Sequence, residues 1–375
     1  IAAPECNHEG NKRLEEYCPY QSDWFGGITG TGHEYMEWLT KEFKPMMDKR
    51  YPTLPGRANT AIGGSSMGGL MSLYAITAYN KVFSKAACLS PSVRLCMPEL
   101  RQEIANKLKR QNNVDYKASE VLVTVGLSEA VFAVLAAILD DGDEILVPDP
   151  AWLNYHNVPR MLGAVPVTYS LKEENGYQMD LAELRSKVTD KTKAVVIITP
   201  NNPTGGDLSQ ATPQGLADLA IEKDLLVISD EVYERLIYDG EKHISIASLP
   251  GMKERTFTMN GMSKAYSMTG WRLGYVASPE AYIAVLNKFH QHNTTCAPSF
   301  VQTASVAALR DEKNEVNDMV KEYQRRRDYA VKAINDIPGL SCLCPKGAFY
   351  IFINCKSLGK PSAELASYLL DEAKI

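Results

Sequence analysis

What this chain lacks narrows it first. No apolar run is long enough to cross a bilayer. The longest, Ala130 to Leu139, is about half the ~20 residues that a spanning helix needs. There is no excess of basic charge: 40 Lys and Arg stand against 45 Asp and Glu, for a net charge of -5. That balance argues against non-specific binding to nucleic acid or to an anionic membrane surface. No Cys-x-x-Cys pair occurs, and no histidines lie at zinc spacing. The eight cysteines are scattered, and they read as buried, reduced thiols of a cytoplasmic protein. Ile1-Ala2-Ala3-Pro4 has neither the basic region nor the cleavage pattern of a signal peptide. What is present is ordinary for a globular protein: 375 residues, 45% hydrophobic and 23% charged, enough for about two or three domains.

The chain begins with Ile1 to Pro4, which reads as the end of a buried strand, and Glu5 to Thr31 reads as a polar loop. From Glu34 to Lys49, Met36, Leu39, Phe43 and Met47 repeat at three- and four-residue steps and predict a helix. A strand is expected over Ala58 to Ile62, then Gly64-Ser65-Ser66-Met67-Gly68, then a helix from Gly69 to Tyr79. In this strand–turn–helix pattern Ser66 occupies the centre of Gly-x-Ser-x-Gly, where small neighbours let a strained turn lift a hydroxyl clear of a sheet. Such turns are also ordinary connectors in α/β proteins. With Pro4-Glu5-Cys6-Asn7-His8-Glu9-Gly10 and Phe25-Gly26-Gly27-Ile28, the segment from Ile1 to about Val93 resembles the esterase D-like family of α/β-hydrolases. The resemblance implies that Ser66 is a nucleophile and that the Met67 amide forms half of an oxyanion hole. That fold places its acid and histidine after the serine, and the likeness stops before either arrives. His156, His243, His290 and His292 all lie in sequence of another character. A serine without a base is a poor nucleophile at neutral pH, so this part reads as an internal piece of an esterase.

From Met97 onward strand and helix signals alternate. After a charged helix to Arg110, strands are expected at 121–125, 145–147, 165–169, 194–199, 225–229 and 256–259. The intervening helices fall at 128–139, 154–162, 181–188 and 213–223. This alternation predicts a mostly parallel sheet covered by helices. Ligands bind such sheets beyond the carboxyl ends of the strands, and the chemically informative residues fall there. Gly126-Leu127-Ser128 opens a helix whose N–H groups could meet an anion. Trp152 offers a flat ring, and Asn202 sits in the rigid turn Pro200-Asn201-Asn202-Pro203-Thr204-Gly205. Asp230 is a buried carboxylate in need of a partner, followed by Tyr233. Taken singly, these read equally well as a helix cap, a core ring and an ordinary turn.

The stretch from Asn260 to Arg272 joins them. Lys264 lies in a crowded small-residue turn after a strand, where desolvation lowers an amine's pKa and makes it a better nucleophile. Arg272 follows with a planar fork of donors suited to phosphate. Together with Ser229-Asp230-Glu231-Val232-Tyr233 and Pro345-Lys346-Gly347-Ala348-Phe349-Tyr350, these motifs resemble the class I/II aminotransferases, the fold-type-I pyridoxal-phosphate enzymes, over about Met97 to Ile375. The resemblance implies roles residue by residue. Lys264 forms the Schiff base with the cofactor aldehyde and shuttles the substrate proton. Asp230 keeps the pyridine nitrogen protonated, and Tyr233 and Asn202 hold the ring hydroxyl oxygen. Trp152 stacks on the ring. Gly126, Leu127, Ser128, Ser263 and Arg272 hold the phosphate.

Two departures from the family pattern bear on activity. Ser90 to Cys96 supplies neither the tyrosine nor the glycine that relatives carry there. Relatives also end in further strands carrying an arginine for the substrate carboxylate, and loss of that bidentate contact implies cofactor binding with weak transamination. Many relatives have a serine where Gly261 stands, which removes one phosphate contact. The expected architecture is thus α/β throughout. Residues 1–95 are a partial α/β-hydrolase fragment. Residues 96–375 are an aminotransferase, with a large cofactor domain at about 120–295 and a truncated small domain from 97–119 and 296–375. The implied substrates are an amino acid and a 2-oxo acid, and family members are usually homodimers. The other readings are a serine hydrolase at Ser66 and an inactive chimera.

Overall fold

The computed structural model describes residues 2–4, 9, 12–21, 27–89, 99–208, 211–310 and 315–374. The chain divides into two compact units, Ile1–Leu100 and Arg101–Ile375. Among the described residues, no helix is long and apolar enough to cross a membrane. Most of Pro4–Gly10, Phe25-Gly26 and Ser90 to Cys96, which carried parts of the sequence comparison, lie outside the described residues.

The first unit contains α1 (Lys12–Glu16), α2 (Gly32–Trp38), α3 (Lys44–Arg50), β1 (Ala61–Ser65), α4 (Met67–Ala78) and β2 (Lys85–Leu89). Several expectations change here. Ala2 to Pro4 form no strand, and Ala2 and Ala3 are exposed. The stretch read as a polar loop holds α1, made of strong helix formers. Glu15 at its end accepts from the Thr29 and Gly30 amides at 2.8 and 3.0 Å. The helix expected over Glu34–Lys49 is interrupted by a π-turn at Leu39–Phe43. Pro45 follows it, and a proline ring cannot be accommodated in an unbroken α-helix. The strand starts three residues later than expected and runs on to Ser65, because β1 pairs in parallel with β2 from Ala61↔Lys85 to Ser65↔Leu89. Met36, Leu39, Met71, Ala75 and Phe83 form one small core of this unit.

The second unit is built on a seven-stranded sheet. Its strands are β3 (Val121–Thr124), β4 (Glu144–Asp149), β5 (Val165–Ser170), β6 (Thr192–Ile198), β7 (Leu226–Asp230), β8 (Thr256–Gly261) and β9 (Gly274–Ala277). They lie in the order β3-β9-β8-β7-β6-β4-β5. Only β9 is antiparallel to its neighbours. Alternate residues of each strand face opposite sides, and both sides are covered. Ile145, Val147, Val196 and Ile228 pack on α6 (Leu127–Ile138), α7 (Asn154–Met161) and α10 (Glu280–Asn293). Leu146, Val195, Ile197 and Val227 pack on α8 (Leu181–Ser186) and α9 (Ala211–Glu222). Burial on both faces explains why these strands read as continuous apolar runs. The unit also includes α5 (Glu99–Asn112) from Arg101 onward, α11 (Ser299–Arg310), α12 (Glu315–Asn335), the short antiparallel pair β10 (Ser341–Cys342) and β11 (Ile353–Asn354), and α13 (Ser362–Asp371). Because six strands of the sheet run the same way, the turns that follow β3, β4, β6, β7 and β8 emerge on one edge. The turn entering the reversed β9 lies on that edge too.

Candidate active site

That shared edge holds a cavity of about 210 Å³. Leu127, Ser128, Trp152, Asn202, Asp230, Tyr233, Ser263, Lys264 and Arg272 all line it. Gly126, the remaining residue of the expected set, lies directly beneath Arg272. At φ 76° it adopts a backbone that L side chains rarely take. A Cβ there would also stand 2.5 Å from Arg272 Nη2. The guanidinium therefore lies on the bare glycine at the mouth of α6.

Asp230 ends β7 and is 3% exposed. Its Oδ2 accepts the Tyr155 hydroxyl at 2.9 Å and its Oδ1 accepts the Val232 amide at 3.2 Å. Burial raises its pKa to about 6, against the lowering effect of the Tyr155 and Val232 donors and the Lys264 charge. Lys264 is shifted the other way. Burial lowers its pKa, Arg272 adds to the effect, and Asp230 partly offsets it. The ammonium stands 5.6 Å from the Tyr233 ring centroid and 5.3 Å from that of Phe349. Arg272, itself in a left-handed conformation at φ 54°, donates to the Thr269 carbonyl at 3.1 Å, and Thr269 Oγ1 donates to the Ser263 carbonyl at 2.9 Å. The lysine turn is thus tied internally.

Two residues of this site carried no role in the sequence reading. Tyr155 has no exposed surface and sits on α7 behind Asp230. Its only signal was that a buried tyrosine hydroxyl needs a partner. Tyr350 lines the cavity, and its hydroxyl meets that of Tyr233 at 2.6 Å. The segment bearing it is stitched between two strand-end turns. The amides of Lys346 and Gly347 donate to the Gly205 carbonyl at 3.0 Å, and the Ala348 amide donates to the Leu236 carbonyl at 2.8 Å. The missing serine at Gly261 has a steric cause: this glycine faces Gly274 across the β8–β9 pair, and a Cβ would meet the Leu273 carbonyl oxygen at 2.8 Å.

Behind the site lies a buried group of Glu231, Glu234 and His243, with ligand-type atoms within 4.8 Å of one another. Its charge is already balanced. Lys107 Nζ donates to Glu234, and Glu231 accepts from Ser229, Ser245, Asn112 and His243 at 2.7–2.9 Å. Ser66 belongs to the other unit. It is exposed, joins β1 to α4, and has φ 56° and ψ -118°.

The donor set fits pyridoxal phosphate. The cavity combines an amine of lowered pKa, a buried carboxylate able to face a ring N–H, a flat indole, and an arginine laid over a glycine at a helix N-terminus, an arrangement that suits a phosphate.

Comparison with known proteins agrees. The family described as aminotransferase class I and II matches residues 94–375, and the family described as "Putative esterase" matches residues 9–162. The latter overlaps β3, β4 and α7, which belong to the seven-stranded unit. The chain is 48% identical to aspartate aminotransferase of Pyrococcus abyssi over 282 residues, 74% of this chain and 72% of that protein. It is 43% identical to aromatic-amino-acid aminotransferase 2 of Thermococcus litoralis over 289 residues, 76% of this chain and 74% of that protein. The solved structure of an aromatic aminotransferase from Pyrococcus horikoshii OT3 superposes with a TM-score of 0.72 at 44% identity, covering 74% of this chain and 75% of that one. The Thermus thermophilus aspartate aminotransferase with maleate gives a TM-score of 0.69 at 36% identity, covering 73% and 72%. Through its larger, seven-stranded unit the chain belongs to the class I and II aminotransferases, pyridoxal-phosphate-dependent enzymes that move an amino group between an amino acid and a 2-oxo acid.

Proposed function

We propose that this chain binds pyridoxal phosphate in the cavity lined by Lys264, Asp230, Tyr233 and Arg272 and uses it to transfer amino groups between an amino acid and a 2-oxo acid. The observation that carries this reading is the convergence of the Lys264 amine, the Asp230 carboxylate and the Arg272 guanidinium on one cavity at the strand ends. When bound, the cofactor supplies an aldehyde that condenses with amines and a ring that takes up carbanion charge.

The chain's own residues supply the rest. Lys264, lowered by burial, holds more of its neutral amine near neutral pH and so can attack a carbonyl carbon. Once released, its Nζ carries the proton to and from the substrate α-carbon. Asp230, fixed by Tyr155 and the Val232 amide, faces the ring nitrogen and favours its protonated form. Tyr233 and Asn202 hold the ring hydroxyl oxygen, and Trp152 covers a ring face. Ser128, Ser263 and Arg272, with the Gly126 and Leu127 backbone, hold the phosphate. We assign residues 120–295 to the cofactor domain, with 97–119 and 296–375 forming the smaller part. The exposed Trp271–Phe300 ring pair, 5.9 Å between centroids and next to Arg272, supports assembly as a homodimer, which light scattering tests.

The test is the visible spectrum after addition of pyridoxal phosphate. Wild type develops the band of lysine-bound cofactor and Lys264→Ala does not; a spectrum without the band in both removes this reading.

A further inference from the structure

A carboxylate lies where an anion-binding turn would least want one. Glu129 is the third residue of α6, immediately after Ser128, and is 8% exposed. A helix N-terminus attracts its charge, but a phosphate at the same terminus would be repelled by it. The structure engages that charge fully. Glu129 Oε2 accepts the Val125 amide at 2.5 Å. Its Oε1 accepts from His290 Nδ1 at 2.7 Å and from the Thr294 hydroxyl. His290 is 3% exposed, near the C-terminal end of α10, and Thr294 caps that helix. Burial works to raise the Glu129 pKa, yet the His290, Thr294 and Val125 donors hold it below the ordinary glutamate range.

The backbone of the turn is fixed by the Val125 contact together with those of Thr124. Val125 precedes Gly126, whose amide donates to the Thr124 carbonyl at 2.9 Å, and Thr124 Oγ1 donates to the Gly126 carbonyl at 3.0 Å. Glu129 thus holds the N–H of the Thr124–Val125 peptide, while Thr124 holds both peptides that flank Gly126. The first N–H groups of α6 have no intrahelical partners, and Leu127 and Ser128 line the same cavity as Arg272. Burying a carboxylate against an imidazole is costly unless its hydrogen bonds are all made, so its place beside this turn calls for a reason other than stability.

We propose that Glu129 and His290 are positioning residues for the phosphate end of the cofactor site. Helix α10 reaches across to α6 and sets the 125–128 turn through the Glu129 carboxylate, and His290 and Thr294 divert that charge from the incoming phosphate. The proposal rests on the cofactor assignment above.

Pyridoxal phosphate and pyridoxal, which lacks the phosphate, separate positioning from general damage. Dissociation constants for both are read from the visible band in the full chain. His290→Leu is expected to weaken pyridoxal phosphate about tenfold while changing pyridoxal less than about twofold. Glu129→Gln keeps an acceptor for Val125 N–H and is expected to lose less than His290→Leu. Thr294→Val removes one neutral donor and is expected to weaken pyridoxal phosphate about threefold, which keeps the test open if His290→Leu does not fold. An unchanged constant for pyridoxal phosphate, or equal weakening of both ligands, overturns the proposal. If wild type develops no band that Lys264→Ala lacks, the cofactor assignment falls, and this proposal with it.

Discussion

The two units contain similar junctions in different surroundings. In the first, β1 leads through Ser66 into α4; in the second, β3 leads through Gly126 into α6. Both turns have positive φ, 56° and 76°. The first lifts a side chain out of the turn, whereas the second strips the side chain away and offers backbone N–H groups. The larger difference lies beneath them. No residue of β1 or β2 is buried, while all six residues of β8 are. Dehydration moves the Lys264 amine and the Asp230 carboxylate away from their ordinary pKa values. Ser66 stands on a thin, exposed two-stranded sheet that provides no such medium. A reactive residue depends on the layer behind it as much as on its own turn.

The strongest test of this contrast is Lys264→Ala, which is expected to reduce transamination by at least about 10⁴-fold because one side chain serves as both nucleophile and proton carrier. A rate retained within tenfold in a steady-state assay would show that the buried lysine is not the reactive group.

Asp230 sharpens the comparison through pH. Asp230→Ala is expected to weaken cofactor binding and lower the rate by about 10²- to 10³-fold. In wild type, cofactor affinity should fall as pH drops through about 6, where the carboxylate takes up a proton. Its folded pKa is raised, so its favourable contribution to stability is complete below the unfolded value near 3.9 and is lost as pH rises through about 6. Asp230→Asn should therefore stabilise the cofactor-free protein at pH 8 by something on the order of 3 kcal/mol and have little effect near pH 4. Denaturant unfolding at the two pH values measures this, and equal effects at both would contradict a raised pKa.

Gly274→Ala probes the packing under the anion site. Its Cβ would lie 2.6 Å from the Leu127 amide nitrogen, a backbone clash expected to destabilise by about 1–3 kcal/mol. The accompanying loss should be greater for pyridoxal phosphate than for pyridoxal in the same titrations. The smallest effect belongs to the other unit. Ser66→Ala is expected to leave the transamination rate within twofold, and a fluorophosphonate probe should label neither protein. Labelling of wild type alone would show that the exposed turn is reactive after all.

The sequence by itself determined most of the seven-stranded unit. Its strands are buried on both faces, so they appear as apolar runs separated by amphipathic helices, and a parallel arrangement then forces the informative turns onto one edge. Asp230, Asn202, Lys264 and Arg272 were legible because each ends, follows or precedes a strand at that edge. The first unit was less legible: α1 and the π-turn before Pro45 arise from local backbone geometry that a hydrophobic period does not register. Only the tertiary structure decided the partners. Tyr155 reaches Asp230 across 75 residues and Tyr350 reaches Tyr233 across 117. His290 reaches Glu129 across 161. Such contacts leave no spacing in the sequence, because they are set by where the sheet and its covering helices bring distant side chains together.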